Sequence, residues 1–358
     1  MAAANPLTPD LDHILAHTQG LWESLRGQRI FLTGGTGFFG CWLLESFAHA
    51  NAKLGLNASV MVLTRNVEAF LAKAPHLASN PAIHFQIGDV RSFEFPKGEF
   101  RYVIHAATEA SAKFNEEQPT LMYNTIVEGT RRVLDFARAV GTTRFLLTSS
   151  GAVNGPQPPE VTHVPEDFVA AKLPANAYAE GKCAAEELCK LYALKHDFDA
   201  LIARCWAFVG PYLPLDIHFA IGNFIRDALK GGPIIVKGDG TPYRSYLYAS
   251  DLAIWLWTIL FKGQSSRAYN VGSEKEVSIR EVAGTVAAVA GAILEIEPVV
   301  VISNSAASHQ LRQAYLPSTE RARQELGLRE MVPLSLAISR TLAWHRPELS
   351  QRLRTWVD

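Results

Sequence analysis

The chain has 358 residues, 48% hydrophobic and 19% charged, which is enough apolar material to bury a large core in one big domain or two unequal ones. Its 34 Lys and Arg against 35 Asp and Glu leave a net charge of -1, without the basic surplus that nucleic acid or an anionic membrane would demand. The cysteines, Cys41, Cys183, Cys189 and Cys205, show neither C-x-x-C nor Cys/His ligand spacing, which argues against a disulfide scaffold or a metal site and fits a reducing compartment.

Met1 to Gln19 carries Asp10 and Asp12 and lacks a basic start followed by an apolar run, so it does not read as a signal peptide. No other stretch approaches the length of a membrane span, and a soluble, cytoplasmic protein is expected. Leu11, Ile14, Leu15, Leu21, Trp22 and Leu25 recur at near-helical spacing ahead of Gly27 and predict a leader helix over residues 1–27. From Arg29 the pattern alternates. Runs at Ile30–Thr33, Val60–Leu63, His84–Ile87, Tyr102–His105, Phe145–Thr148 and Ala200–Arg204 predict strands, with helices at Cys41–Ala50, Leu121–Val140 and Ala179–Lys195 between them. Such alternation predicts an α/β fold with a Rossmann-like, doubly wound parallel sheet over residues 28–205, joined by returning segments near 245–272.

Gly210-Pro211 then breaks the rhythm, and residues 206–358 read mainly as a smaller C-terminal α/β substrate-binding lobe. Its helices are predicted near Ile221–Leu229, Leu252–Leu260, Ile279–Ala290, Thr319–Leu326 and Leu334–Trp344, with short strands at Ile234–Val236, Ala268–Asn270 and Leu294–Val300.

Thr33-Gly34-Gly35-Thr36-Gly37-Phe38-Phe39-Gly40 follows a strand and opens a helix, the setting in which backbone amides and the positive helix end bind a pyrophosphate. Gly34 permits the tight turn, Gly37 lets the phosphates approach, and Gly40 lets the helix pack on the strand; Thr36, Phe38 and Phe39 complete this cofactor loop. At the end of the second strand, where an acid would hold the ribose of NAD, stand Thr64 and Arg65. An arginine there favours NADP over NAD, although Arg65 could equally stack on adenine or be solvated. Asp89, beside Val90, either meets the adenine amino group or forms a turn.

Tyr178 and Lys182 lie four residues apart on one helix face. A phenol with an ordinary pKa near 10 works as an acid/base at neutral pH only if a cation favours its phenolate, and Lys182 can supply that charge while binding the nicotinamide ribose. Ser150, at the carboxyl end of a strand, is the third member, with Ser149 as its nearest competitor.

Together with His105-Ala106-Ala107, Asn124 and Gly129-Thr130, Val153-Asn154-Gly155, and Gly238-Asp239-Gly240 through Arg244 to Asp251, these motifs resemble the extended short-chain dehydrogenase/reductases, more narrowly the nucleotide-sugar epimerase/dehydratase branch. The resemblance implies a catalytic triad of Ser150, Tyr178 and Lys182, cofactor contacts from Ala106 and Ala107, and Asn124 as a buried residue supporting the site. It also implies a nucleotide-diphosphate sugar held by Ser149, Asn223, Arg244 and Arg312, and a homodimer formed through the helices flanking Leu121–Val140 and Ala179–Lys195.

Members that dehydrate a hexose carry acids directly after the triad hydroxyl, and sugar-acid decarboxylases usually carry a glutamate there; this chain has Gly151 and Ala152. Asn154 replaces the usual tyrosine before Gly155, and Ala207 a frequent asparagine. The resemblance therefore implies an epimerase or a 4-ketoreductase working through a 4-keto sugar, with an atypical dehydratase or decarboxylase as the alternative. A non-catalytic dinucleotide sensor would be expected to lack Tyr178 or Lys182, and both are present.

Overall fold

Each strand in the first half is followed by enough chain to cross back over the sheet, and this forces parallel pairing. The computed structural model describes residues 5–108, 112–169, 176–217, 219–296, 298–303 and 312–346. Helix α1 (Thr8–His17) and a 3-10 turn at Trp22–Leu25 precede β1 (Arg29–Thr33), α2 (Phe38–Leu54) and β2 (Ser59–Thr64). Short helices α3 (Val67–Lys73) and α4 (Pro75–Ala78) lead to β3 (Ile83–Ile87) and β4 (Tyr102–His105). Then come α5 (Ala112–Glu117), α6 (Pro119–Ala139), β5 (Arg144–Ser150), α7 (Ala177–Lys195) and β6 (Asp199–Cys205). The remainder is β7 (Phe208–Val209), α8 (Ala220–Leu229), β8 (Ile234–Val236), β9 (Tyr243–Arg244), β10 (Leu247–Tyr248), α9 (Ala249–Lys262) and β11 (Ala268–Val271). It ends in β12 (Val277–Ser278), α10 (Ile279–Leu294), β13 (Val300–Ile302), β14 (Ala314–Tyr315), α11 (Glu320–Leu326) and α12 (Leu334–His345).

The main sheet has seven strands in the order β11-β6-β5-β4-β1-β2-β3, all parallel. Chain direction across the sheet reverses between β1 and β4, so a crevice opens at the carboxyl ends of these strands, where ligands of such sheets bind. Alternate residues of each strand feed two cores. Ile30, Leu32, Ile104 and Leu146 pack with α1, α2 and α9, while Phe31, Val103, Phe145 and Leu147 pack with α6 and α7. Helix α9 is buried from Ala249 to Leu260, which explains a sequence apolar on every side. The leader helix is tied down at Asp10, whose carboxylate accepts the Tyr248 hydroxyl (2.9 Å) and pairs with Arg340 of α12.

The strand expected at Leu294–Val300 is displaced. Leu294 is still helical, Glu295 takes a left-handed conformation (φ 56°) that ends α10, and the strand is Val300–Ile302. The small ladders β10-β7, β12-β9-β14 and β13-β8 build the part beyond Cys205. Among the described residues, no helix is long and apolar enough to cross a membrane, and no three His, Cys, Asp or Glu side chains gather as a metal site.

Candidate active site

The phosphate loop lies at the crevice. Gly34 has φ +72°, and a side chain there would collide with the Ala106 carbonyl at the end of β4. A side chain at Gly40 would strike the loop itself, at Gly34 and Gly35, so this glycine serves loop closure more than helix–strand packing. Helix α2 opens with Gly37 as its N-cap, and no side chain caps its first amides. Those amides and the helix dipole fit a pyrophosphate. Lys73 of α3 reaches the loop and donates to the Thr36 carbonyl (3.0 Å), while Phe38 and Phe39 lean into the apolar core.

At the adenosine end, Thr64 is buried and accepts the Asn66 amide (3.3 Å), and Arg65 is exposed. Asp89 is occupied: its carboxylate takes Nε and Nη2 of Arg91 (both 2.8 Å) and the Arg91 amide (2.9 Å), and the Arg91 guanidinium pulls its pKa down to about 2. The turn reading of Asp89 is therefore the one its contacts fit. Val90 lies over Gly129 of α6.

Ser150 is the last residue of β5 and 6% exposed. Asn176 caps α7 by accepting the Ala179 amide (2.9 Å), and Asn115 accepts the Tyr178 amide (2.9 Å), which seats Tyr178 in the first turn. One turn on, Lys182 donates to the Thr108 hydroxyl (2.8 Å) and the Thr148 carbonyl (2.7 Å), leaving one N–H of the ammonium. Its Nζ lies 5.9 Å from the centre of the Tyr178 ring. Burial pushes Lys182 down to about 8. Burial pushes Tyr178 up to about 12, opposed by a hydrogen bond with Ser150. In the protein alone, desolvation thus dominates at Tyr178.

Below the triad, the Thr33 hydroxyl accepts the Ala107 amide (3.1 Å) and bonds His105 Nδ1 (2.7 Å), while His105 Nε2 meets the Thr130 hydroxyl (3.1 Å). Burial, helped by the Lys182 charge, pushes His105 down to about 3, so it is neutral at physiological pH. Beside the triad, Glu186 of α7 accepts Arg204 (2.8 and 3.0 Å), and its Oε1 also takes the Ser149 hydroxyl (2.5 Å). This corrects the expectation for Ser149. Its side chain alternates to the opposite face from Ser150 and is spent on clamping α7 to β5 and β6.

Asn124 is also corrected: it is exposed on α6, and Ile126 is the residue that packs against Gly181 of α7. Asn223 accepts from Arg226 (3.0 Å) on α8. Arg312 lies over the Tyr243 ring at 5.2 Å and pairs with Glu276, so its guanidinium is already partnered. Arg244 donates to its neighbour's carbonyl (2.7 Å) and lies opposite Tyr315 in the β9–β14 ladder.

Tyr315 was not anticipated. Its ring lies 4.4 Å from that of Trp206, and burial raises its phenol above the ordinary tyrosine range. A methyl group at Gly151 would sit 2.5 Å from the Trp206 ring and 2.8 Å from the Tyr315 hydroxyl. The position directly after Ser150 is therefore filled by an aromatic pair. Asn154 braces the same turn, donating to the Gly151 carbonyl (3.2 Å) and accepting from Arg204 (3.3 Å). Thr108, three residues past His105, could have been found as the next hydroxyl after the β4 end; Tyr315 carried no local signal, because its strand has two residues.

Known proteins with similar sequences or folds bear on this geometry. UDP-glucuronic acid decarboxylase 1 of Xenopus tropicalis is 29% identical over 338 residues, 91% of this chain and 74% of that protein. UDP-glucuronic acid decarboxylase 3 of Arabidopsis thaliana is 30% identical over 315 residues, 86% of this chain and 87% of that one. The fold is shared with a UDP-glucose 4-epimerase from Thermotoga maritima, solved with UDP-glucose, at a TM-score of 0.74 and 20% identity, covering 90% of this chain and 100% of the other. The model of the NAD dependent epimerase/dehydratase family matches residues 30–272. With its phosphate loop, its Ser150, Tyr178 and Lys182 cluster and this match, the chain belongs to the NAD-dependent epimerase/dehydratase family.

Proposed function

We propose that the chain is an enzyme that transfers hydride at a hexose carbon of a nucleotide-diphosphate sugar by way of a 4-keto species, either as an epimerase that oxidises the hydroxyl and reduces the ketone again or as a 4-ketoreductase that reduces a 4-keto sugar with a reduced dinucleotide. The observation that carries this reading is the position after Ser150, where Trp206 and Tyr315 leave no room for the carboxyl group that water elimination would use. A bound nicotinamide would accept the sugar hydride and return it. Tyr178 takes or gives the hydroxyl proton, Ser150 donates to the same substrate oxygen, and the remaining Lys182 N–H holds the cofactor ribose. Arg244 is assigned to the diphosphate, where a planar guanidinium engages two oxygens at once. The exposed Arg65 favours NADP through its 2′-phosphate.

A second reading is favoured by the decarboxylases among the relatives. A 4-keto uronic acid is a β-keto acid and loses CO2 without an enzyme carboxyl at the scissile bond. A homodimer through α6 and α7 belongs to the same proposal, since their outer faces expose Leu121, Leu191 and Leu194; sedimentation of the purified chain tests it.

The reaction is tested by mass spectrometry of the dinucleotide released on denaturation, followed by NMR of products from UDP-glucose, UDP-galactose and UDP-glucuronic acid. Retained NAD+ with inversion at C4 supports epimerisation, and uptake of NADPH supports reduction. A UDP-pentose from UDP-glucuronic acid selects the second reading. No bound or acquired dinucleotide overturns both.

A further inference from the structure

Thr108 lies outside the triad, yet its hydroxyl is one of two groups that hold the triad lysine. Lys182 Nζ donates to the Thr148 carbonyl (2.7 Å) and to Thr108 Oγ1 (2.8 Å). An ammonium only donates, so Thr108 Oγ1 accepts there, and its own proton goes to the Ala107 carbonyl (2.8 Å). The direction of both bonds is thereby fixed. The segment that carries Thr108 is itself anchored to β1: the Ala106 amide donates to the Thr33 carbonyl (3.2 Å) and the Ala107 amide to the Thr33 hydroxyl (3.1 Å). Gly34 of the phosphate loop packs against the carbonyl of the same Ala106. One short stretch after β4 therefore backs the phosphate loop and seats Lys182.

We propose that Thr108 is a positioning residue for Lys182: it accepts one N–H of the ammonium while the Thr148 carbonyl accepts a second, and so aims the third at the nicotinamide ribose. The inference rests on the triad reading above. Two fixed acceptors leave a tetrahedral donor one free direction, whereas the Thr148 carbonyl alone would let the ammonium turn about a single bond. The Thr108 hydroxyl also favours the charged form of a lysine that burial disfavours. The other groups that face the ammonium are Tyr178, Glu186 and Cys189 of its own helix, Cys205 of β6 and His105 of β4. Glu186 is taken up by Arg204 and Ser149, His105 by Thr33 and Thr130, and burial keeps both thiols protonated. None of these stands in for Thr108.

The test is the affinity of NADH and NADPH, followed by their fluorescence, as pH rises through the range in which Lys182 titrates; a retained dinucleotide is read by its displacement. Wild type is expected to weaken above about pH 8, and Lys182→Met should bind less tightly and lose that dependence. Thr108→Val keeps the branched shape and removes the acceptor. It should weaken binding at neutral pH by about tenfold and start the weakening about one pH unit lower, and Thr108→Ser should restore both. Should Thr108→Val fail to fold, Thr108→Ala is expected to show the same two changes. A Thr108→Val curve that overlays wild type, or that weakens without moving along the pH axis, overturns the role of Thr108 and leaves the triad standing. An affinity that falls with pH just as steeply in Lys182→Met, or a protein that neither retains nor acquires a dinucleotide, overturns the triad reading and this inference with it.

Discussion

The two sides of the cavity are held in different ways. Ser150 ends a strand of 7 residues that pairs with β4 and β6, and Tyr178 and Lys182 lie in the opening turns of a helix of 19 residues. Arg244 and Tyr315 stand on strands of 2 residues each. On the first side, strand pairing, the Asn176 cap and the Arg204–Glu186 clamp each fix the same geometry independently. On the second, the two-residue ladders of β9 with β12 and β14 and the Trp206–Tyr315 ring contact do so. The proposed acid/base chemistry, which tolerates little displacement, is assigned to the over-determined side, and the proposed diphosphate contact of Arg244 to the side with shorter strands.

Removing the phenol on the rigid side breaks the contrast hardest. Tyr178→Phe is expected to lower turnover by about 10²–10⁴-fold while dinucleotide binding, followed by fluorescence, stays intact. The clamp comes next. Glu186→Ala removes the carboxylate partner of Arg204, whose own side chain is only 13% exposed, and is expected to cost about 3–5 kcal/mol in equilibrium denaturation. A loss below about 1 kcal/mol would mean that the rigid side does not depend on that pair.

On the softer side, Arg244→Met should raise KM for the sugar nucleotide by roughly 10–100-fold with little change in kcat or in stability. A collapse of kcat instead would place Arg244 among the groups that act in the transition state. The smallest effect is in pH. His105 is held neutral down to about 3, against an ordinary value of 6.5, so its contribution to stability is complete above pH 6.5 and is lost as pH falls towards 3. Denaturation at pH 7 and pH 5 checks this, and His105→Gln, which keeps an amide between Thr33 and Thr130, should flatten the difference.

The same division governs what could be read in the sequence. The places of Gly34, Gly37, Tyr178 and Lys182 were legible because each depends on spacing within one turn or one helix, whereas Gly40 was placed correctly but serves the loop and not the strand, and the strands were legible because short apolar runs are confined to a buried parallel sheet. Ser149 and Ser150 are adjacent hydroxyls, and only the pleat decides which one faces the crevice and which meets Glu186. Asn124 misled because helical phase, not motif order, sets which residue of α6 faces α7. Tyr315 and Trp206 come together across more than a hundred residues, through strands too short to leave a period, so nothing local announced them.

The central claim is hydride transfer between a sugar carbon and a bound nicotinamide, and deuterium at C4 of a UDP-hexose tests it most directly. Hydride transfer predicts that the label passes through the nicotinamide C4 position, that it slows turnover in wild type, and that Tyr178→Phe transfers it about 10²–10⁴-fold more slowly. Product formed at the unlabelled rate, with no deuterium ever found in the dinucleotide, would contradict it.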